Sequence, residues 1–146
     1  MAAPLTPGRP LELCAFWVGS TVYAIDVARV DEVLPRVVPL PVPGLPDHVE
    51  GVVHLPGATV PIVDLRRLLP TGTPPRTAKP KVVVAWLGRR RVGLRVDGLA
   101  GVQQFQEQDV APPEKAEPAP VIGAVESRDG WWRLLDVKAL LRRTPA

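Results

Sequence analysis

The sequence has few residues that could catalyse a reaction, bind a metal or crosslink the chain. It contains one cysteine, two histidines and two serines in 146 residues. The lone Cys14 cannot form an internal disulfide, which favours a reducing compartment. A hydrolase triad or a zinc site needs clustered nucleophiles, histidines or thiolates, and the spacing of His48 and His54 fits neither. We therefore expect no enzyme activity, no metal and no cofactor.

Long apolar runs and long helix-compatible windows are also missing. No apolar run approaches the roughly 18 residues of a membrane span. The 19 prolines and 12 glycines interrupt most windows of helical length, which excludes a helical bundle. The 23 valines, against 3 isoleucines and 2 phenylalanines, favour β-strands. A net charge of +3 is too small to indicate nucleic-acid binding by itself.

The chain repeats one pattern twice. Trp17 aligns with Trp86, and the alignment continues without a gap through the following residues as far as Val33 and Val102. Further along, Gly51 aligns with Gly123 and Asp64 with Asp136. The pattern predicts a single domain over residues 11–143, made of subdomains at about 11–70 and about 80–143. Residues 1–10 are expected to form a flexible lead-in.

Each copy is predicted to consist of short strands joined by tight turns. Four hairpins are expected, pairing residues 11–18 with 22–27, 51–55 with 59–63, 81–87 with 92–96, and 121–125 with 131–135. Residues 30–38 continue extended, 39–47 form a proline-rich loop, 65–69 form a helical turn, and 137–143 form a short C-terminal helix. Such short strands bury their apolar faces best by curling. The predicted fold is therefore all-β, with two similar five-stranded barrels packed together around a groove.

A few polar and aromatic side chains allow more than one interpretation. Asp64 and Asp136 occupy equivalent positions before apolar turns, where a carboxylate is expected to cap the turn. An Asp64–His54 dyad would need the two side chains to meet across a hairpin, and a surface histidine is the favoured interpretation. Asp97 precedes a glycine and is read as a turn residue.

The densest charge cluster is Arg89, Arg90 and Arg91, which is either a solvated hairpin tip or a contact for an anionic group on a partner. In the pair Trp131-Trp132, strand alternation places one ring in the core and the other outward, at an interface or as a partner anchor. We take Trp132 and the three arginines as candidate partner contacts.

Four stretches, in order along the chain, resemble the CheW-like domain family. The most characteristic reads Val-Glu-Gly-Val-Val-His-Leu-Pro-Gly at 49–57 and continues to residue 68. The others lie at 16–33, 92–98 and 134–137, so the resemblance spans about 11–143. It implies the same double-barrel fold. It also implies a non-enzymatic adaptor that couples the cytoplasmic tips of chemoreceptors to the regulatory domain of a CheA-type histidine kinase, within cytoplasmic signalling arrays and with ring or array assembly.

The resemblance also implies which residues contact or shape the receptor site. By position these are Val30, Glu32, Gly51, Pro56, Gly93 and Val102. One of them departs from the family pattern, because Pro56 stands where the family has an arginine that pairs with the acid matching Glu32. Pro56 carries no charge and no N–H group. Arg29 and Arg36 are two nearby arginines that could compensate.

Two alternatives follow from these features. A divergent or accessory family member would bind only the receptor or only the kinase, and Pro56 keeps that interpretation open. A nucleic-acid-binding barrel would use Arg89, Arg90, Arg91 and Arg95, with Trp86 as the one aromatic side chain nearby.

Overall fold

The computed structural model describes residues 10–70, 72–114 and 120–142, and the regular secondary structure of these residues is almost entirely β-strand. The expected lead-in at 1–10 and the end of the expected C-terminal helix lie mostly outside these residues. The ten strands are β1 Leu11–Val18, β2 Thr21–Asp26, β3 Val30–Pro35, β4 Val49–Leu55, β5 Ala58–Asp64, β6 Lys81–Leu87, β7 Arg90–Val96, β8 Gly98–Phe105, β9 Val121–Ser127 and β10 Gly130–Leu135. One helix, α1, covers Val137–Leu140, and 3-10 turns cover Val27–Arg29, Leu65–Arg67 and Glu107–Asp109.

The strands form two five-stranded sheets, which confirms the predicted all-β class and the expectation of two five-stranded units. Sheet A has the order β8-β1-β2-β10-β9, and sheet B has the order β3-β6-β7-β5-β4. Each of β1–β5 has an equivalent five strands later in the chain, among β6–β10. Exchanging every strand for its equivalent converts the order of sheet A into that of sheet B. The repeat read from the sequence is therefore present in three dimensions.

The two sheets are not the two sequence copies. Sheet A joins β1 and β2 to three strands of the second copy, and sheet B joins β6 and β7 to three strands of the first. The expectation that residues 11–70 and 80–143 each build their own barrel is corrected by this exchange. Side-chain periodicity reports which face of a strand is apolar and carries no information on which strand lies beside it.

Each sheet curls, but its two edge strands do not pair, so neither sheet is a closed barrel. In each sheet a single isolated bridge links the segment that follows one edge strand to the other edge strand. Leu40, which follows β3, pairs with Val52 on β4, and Ala111, which follows β8, pairs with Ala124 on β9. The proline-rich segment around Leu40 is thus fixed against sheet B by two backbone hydrogen bonds, of 2.8 and 3.0 Å.

Three apolar cores account for the packing. The largest lies between the sheets, where Phe16 and Ile25 of sheet A share a cluster with Val83 and Leu94 of sheet B. Smaller clusters fill the inside of each curl, around Trp132 in sheet A and, in sheet B, around Val60, Ile62, Val82 and Val84. Strands β1, β2, β6 and β7 are buried on both faces, which explains their valine and alanine content.

Most predicted elements match, and one strand is absent from the prediction. β1 and β6 begin and end where expected, whereas β3 stops at Pro35 and the C-terminal helix is the single turn α1. Both predicted aspartate caps are confirmed: Asp64 accepts a hydrogen bond from the backbone N–H of Arg66 at 3.0 Å, and Asp136 accepts one from Ala139 at 3.2 Å. The missed strand is β8, because its sequence is rich in glycine and glutamine and only weakly alternating.

Candidate functional site

One arginine connects both edges of sheet B at the end where the β4–β5 and β6–β7 turns lie. Nη2 of Arg91 donates to the carbonyl oxygen of Pro56 at 2.8 Å, and Nη1 lies 3.3 Å from Oδ2 of Asp31. The guanidinium carbon also lies 5.8 Å from the ring centroid of Trp86, within cation–π range. We call these four residues the Arg91 cluster.

Arg91 is the arginine that contacts the Pro56 turn. Arg91 comes from the neighbouring strand β7 and hydrogen-bonds the turn through its carbonyl, which proline retains. Arg29 instead donates to the carbonyl of Trp86, at 3.4 Å. The acid paired with Arg91 is Asp31, the bulged residue of β3, and not Glu32.

A second arginine on the same face of β7 makes similar links further along the strand. Nε of Arg95 donates to Oε2 of Glu50 at 2.7 Å, and Nη2 donates to the carbonyl of Val37 at 3.2 Å. Arg91 and Arg95 are therefore engaged within the chain. Arg89 and Arg90 remain exposed, so the basic cluster required by the nucleic-acid alternative loses two of its four members.

Three of the predicted receptor-site residues lie in one row across sheet B. Strand pairing connects Glu32 to Val84, Val84 to Gly93, Gly93 to Ile62, and Ile62 to Gly51. Gly51 and Gly93 are buried, so they shape the sheet and have no surface to offer a partner.

The other three predicted residues are more accessible. Val30 is half-buried at the start of β3, and Pro56 is exposed at the β4–β5 turn. Val102 is 60% exposed, but it lies on the edge strand of sheet A. The structure thus brings all of the predicted residues except Val102 onto sheet B.

The choice of Trp132 as a partner contact is wrong. Trp132 is only 4% exposed and packs edge-on against Phe105, with ring centroids 5.6 Å apart, inside the curl of sheet A. Its neighbour Trp131 is 56% exposed. Alternation required one ring inward and one outward, but the register that decides between them depends on strand pairing.

A cavity of about 630 Å³ opens on the outer face of sheet B, and we call it the β5–β7 cavity. Apolar side chains from five segments line it, namely Leu45, Val52, Pro61, Leu87 and Val92. Arg89, Arg90 and Arg91 also line it, and the first two are exposed. An apolar cavity with exposed cationic groups suits an occupant that combines an apolar or aromatic group with acidic ones.

Asp97 has a structural role that the sequence pattern does not reveal, although its position beside Gly98 correctly indicates a turn. It is 9% exposed and joins β7 of sheet B to β8 of sheet A. Its Oδ2 accepts a hydrogen bond from the backbone N–H of Gly19 at 2.6 Å, and its own N–H donates to the carbonyl of Trp17. The carboxylate therefore attaches the β1–β2 turn to the crossing between sheets.

Neither the considered His54–Asp64 dyad nor a cluster of metal ligands is present among the described residues. Nδ1 of His54 lies 3.2 Å from the hydroxyl of Thr59. The Asp64 carboxylate instead accepts a hydrogen bond from the backbone N–H of Arg66 and forms an ion pair with Arg67. The His54–Asp64 dyad therefore does not form. Over the described ranges, no three His, Cys, Asp or Glu side chains converge as metal ligands would. No helix within those ranges has the length and apolar character needed to cross a membrane.

The Cys14 thiol should react slowly in the folded protein. Cys14 is 7% exposed, and burial raises the pKa of its thiol. The thiol of an unfolded chain has a pKa of about 8.5. At that pH the folded protein therefore contains little of the reactive thiolate. We expect an Ellman-type disulfide reagent at about pH 8 to label the native chain at least roughly tenfold more slowly than the urea-unfolded chain. Equal labelling rates would contradict the burial.

The raised pKa of the Cys14 thiol also predicts that the free energy of unfolding falls as pH rises above about 8.5, because the unfolded chain then loses its thiol proton more readily than the folded chain.

Comparison with known proteins places this architecture among characterised ones. The family model of the CheW-like domain matches residues 12–144. The chemotaxis protein CheW of Rhizobium meliloti is 33% identical over 101 residues, which cover 69% of this chain. That alignment spans 65% of the relative's own length. Protein PilI of Pseudomonas aeruginosa is 32% identical over 130 residues, covering 86% of this chain and 72% of PilI.

Among solved structures, the fold is similar to that of the scaffolding protein TtCheW from Thermoanaerobacter tengcongensis. The TM-score is 0.80, and the match covers 91% of this chain and 93% of that one at 23% identity. At that coverage the similarity extends over most of both sheets.

Proposed function

Because this chain belongs to the CheW-like domain family, we propose that it is a non-enzymatic adaptor that couples chemoreceptors to a CheA-type histidine kinase. The observation that carries the proposal is the family match over residues 12–144, which includes both sheets and every residue of the Arg91 cluster. Its proposed location is the cytoplasm, where it is recruited to receptor arrays. The residue inventory agrees with a binding role, since the few candidate catalytic side chains are separated in the fold.

We place the proposed receptor contact on sheet B, around Val30, Glu32 and the Arg91 cluster. Arg91 neutralises the Asp31 carboxylate and fixes the carbonyl of Pro56, so the start of β3 and the β4–β5 turn keep one relative position. A bond to the Pro56 carbonyl needs no side-chain charge at the turn. In this proposal Arg91 is a positioning residue that replaces, from β7, the cation that position 56 lacks.

A paired titration tests the adaptor role. The full chain is titrated by calorimetry against a receptor tip fragment and, separately, against the kinase regulatory domain from the same cell. We expect binding to both. Binding of only one partner would contradict coupling and support an accessory member of the family, and binding of neither would remove the proposal.

Arg91→Ala tests the positioning role in the same assay. Losing two hydrogen bonds that involve a charged group should weaken receptor-tip binding by roughly 10- to 100-fold, equivalent to about 1.5–3 kcal/mol. Kinase binding should change by less than about threefold. Arg76→Ala, in the exposed loop before β6, is the matched control for losing one positive charge. An equal loss of both affinities would indicate a general folding defect and contradict a local role.

A further inference from the structure

Two arginines on the middle strand of sheet B start from the inner face of its curl. Arg91, Gly93 and Arg95 alternate along β7 and therefore share one face of the strand. A Cβ atom at Gly93 would meet Ile62 and Val82, which belong to the apolar cluster inside the curl. The stems of both arginines therefore begin beside this cluster, while their charged groups bond to residues at the edges of the sheet.

Each arginine links the two edges of sheet B, which do not pair with each other. We call the boundary between these edges the seam, with β3 and its continuation to Leu40 on one side and β4 on the other. Nε and Nη2 of Arg95 both lie 2.7 Å from Oε2 of Glu50 on β4. Nη2 also donates to the carbonyl of Val37, which follows β3, at 3.2 Å. Arg91 links β3 to the β4–β5 turn in a similar way.

Sheet A closes the equivalent curl with apolar groups. On β2, the counterpart of β7, Val22 and Asp26 stand where β7 has the two arginines. Val22 packs against the cluster inside sheet A, and Asp26 caps the 3-10 turn that follows β2. That cluster contains the edge-on pair of Trp132 and Phe105. Apolar packing inside sheet A thus takes the place of the arginine contacts inside sheet B.

The two kinds of closure respond differently to charge. The side chains of Arg95 and Glu50 are 20% and 25% exposed, so salt still reaches and partly screens their ion pair. Losing the arginine would also leave the Glu50 carboxylate without its partner in a partly buried place. The aromatic packing inside sheet A depends on neither effect. Ionic strength and arginine substitutions should therefore act on one sheet and spare the other.

We propose that sheet B opens at its seam as a unit while sheet A stays closed, and that Arg91 and Arg95 hold the seam shut. Opening separates the Leu40 segment from β4, uncovers the apolar interior of sheet B and frees two strand edges. The seam is thus a conformational device whose open population depends on ion pairs. The inference goes beyond the proposed adaptor role, because it concerns the chain alone and requires neither receptor nor kinase.

Amide hydrogen exchange of the full chain, followed residue by residue by NMR, tests the proposal with an internal control. Leu40 and Val52 exchange two backbone hydrogen bonds across the seam, and Ala111 and Ala124 make the equivalent bridge in sheet A. The N···O distances are 2.8 and 3.0 Å in both bridges. Raising sodium chloride from about 0.05 to about 1 M should accelerate exchange of the seam pair about threefold and leave the sheet A pair unchanged.

Two variants at position 95 separate charge from packing. Arg95→Met keeps an apolar stem but loses the contacts to Glu50 and Val37, so exchange of the seam pair should accelerate roughly 10- to 100-fold. The sheet A pair should change by less than about threefold. Arg95→Lys keeps the charge without the planar fork, so it should accelerate the seam pair less. Arg76→Met, in the exposed loop before β6, controls for the loss of a positive charge and should alter neither pair.

Two results would overturn the proposal. Equal responses of the two bridges, to salt or to Arg95→Met, would show that the seam opens only when the whole chain unfolds. Unchanged exchange of the seam pair in Arg95→Met would show that the arginine does not hold the seam. If circular dichroism shows that Arg95→Met is unfolded, the salt series on the unaltered chain decides. None of these outcomes depends on binding to a receptor or a kinase.

Discussion

Gly51→Ala should lower the free energy of unfolding by about 3 kcal/mol or more, the largest effect we expect from one added methyl group in this chain. Gly51 adopts a φ of +154°, which disfavours residues with a side chain. A Cβ atom there would also clash with the backbone carbonyl oxygen of Leu40. The backbone of Leu40 cannot rotate away, because its N–H group and its carbonyl are both hydrogen-bonded to Val52.

Equilibrium urea unfolding measures this loss, and another glycine provides the control. Gly57 has a φ of +80°, and no atom lies within 4 Å of the place that a Cβ atom would occupy there. Gly57→Ala should therefore cost only the conformational strain, about 1 kcal/mol. If both variants lost the same amount, steric conflict with the Leu40 segment would not be the cause at Gly51.

The same substitution separates shaping from contact at a position that the family resemblance assigns to the receptor site. Gly51 is buried, so any effect on receptor-tip binding must come through displacement of the bridged segment around Leu40. We expect that binding loss to parallel the loss of stability. A large binding defect in a variant of unchanged stability would indicate direct contact.

Asp97→Ala is expected to have the second largest effect, about 2–3 kcal/mol. The substitution removes the charged acceptor of the Gly19 N–H group, 2.6 Å away, and leaves that buried donor without its partner. Because Asp97 stands at the crossing from sheet B to sheet A, the β1–β2 turn also loses its connection to that crossing. The ion pair with Arg66, at 3.8 Å, contributes little, since the arginine is 54% exposed.

Two further variants isolate the hydrogen bond from the ion pair. Asp97→Asn keeps an acceptor oxygen of the same shape and should cost about 1 kcal/mol, because only the charge assistance is lost. Arg66→Ala should change stability by less than about 0.5 kcal/mol. A loss in Arg66→Ala as large as in Asp97→Ala would show that the ion pair, and not the bond to Gly19, stabilises the turn.

The sequence predicts part of the candidate site, and the residues that it does not predict lie far from their partners along the chain. Pro56 stands out in the sequence, because a proline occupies the place where the family resemblance implies an arginine. The partner that contacts it, Arg91, lies 35 residues away, and the acid that completes the cluster, Asp31, lies 60 residues from Arg91. Local patterns give no information on such pairings, so the sequence points instead to the nearby Arg29 and Arg36.

The two tryptophans show the same limit within a single strand. Alternation in the sequence established that one ring of Trp131-Trp132 is buried and the other exposed. Which one is buried depends on the register of β10 against β9 and β2. A shift of one residue exchanges the two faces of a strand, and only the surrounding sheet fixes that register.

The sequence by itself determined the all-β class, the twofold repeat, most strand limits and the aspartate caps. These features depend on the spacing of apolar side chains and on turn residues, which act over a few positions. Only the tertiary structure decided that the two copies exchange strands, that Arg91 joins Asp31 to the Pro56 turn, and that Trp132 is buried while Trp131 is exposed. Those outcomes arise from contacts between residues far apart in the chain, where the free energy of packing the whole molecule selects the partners.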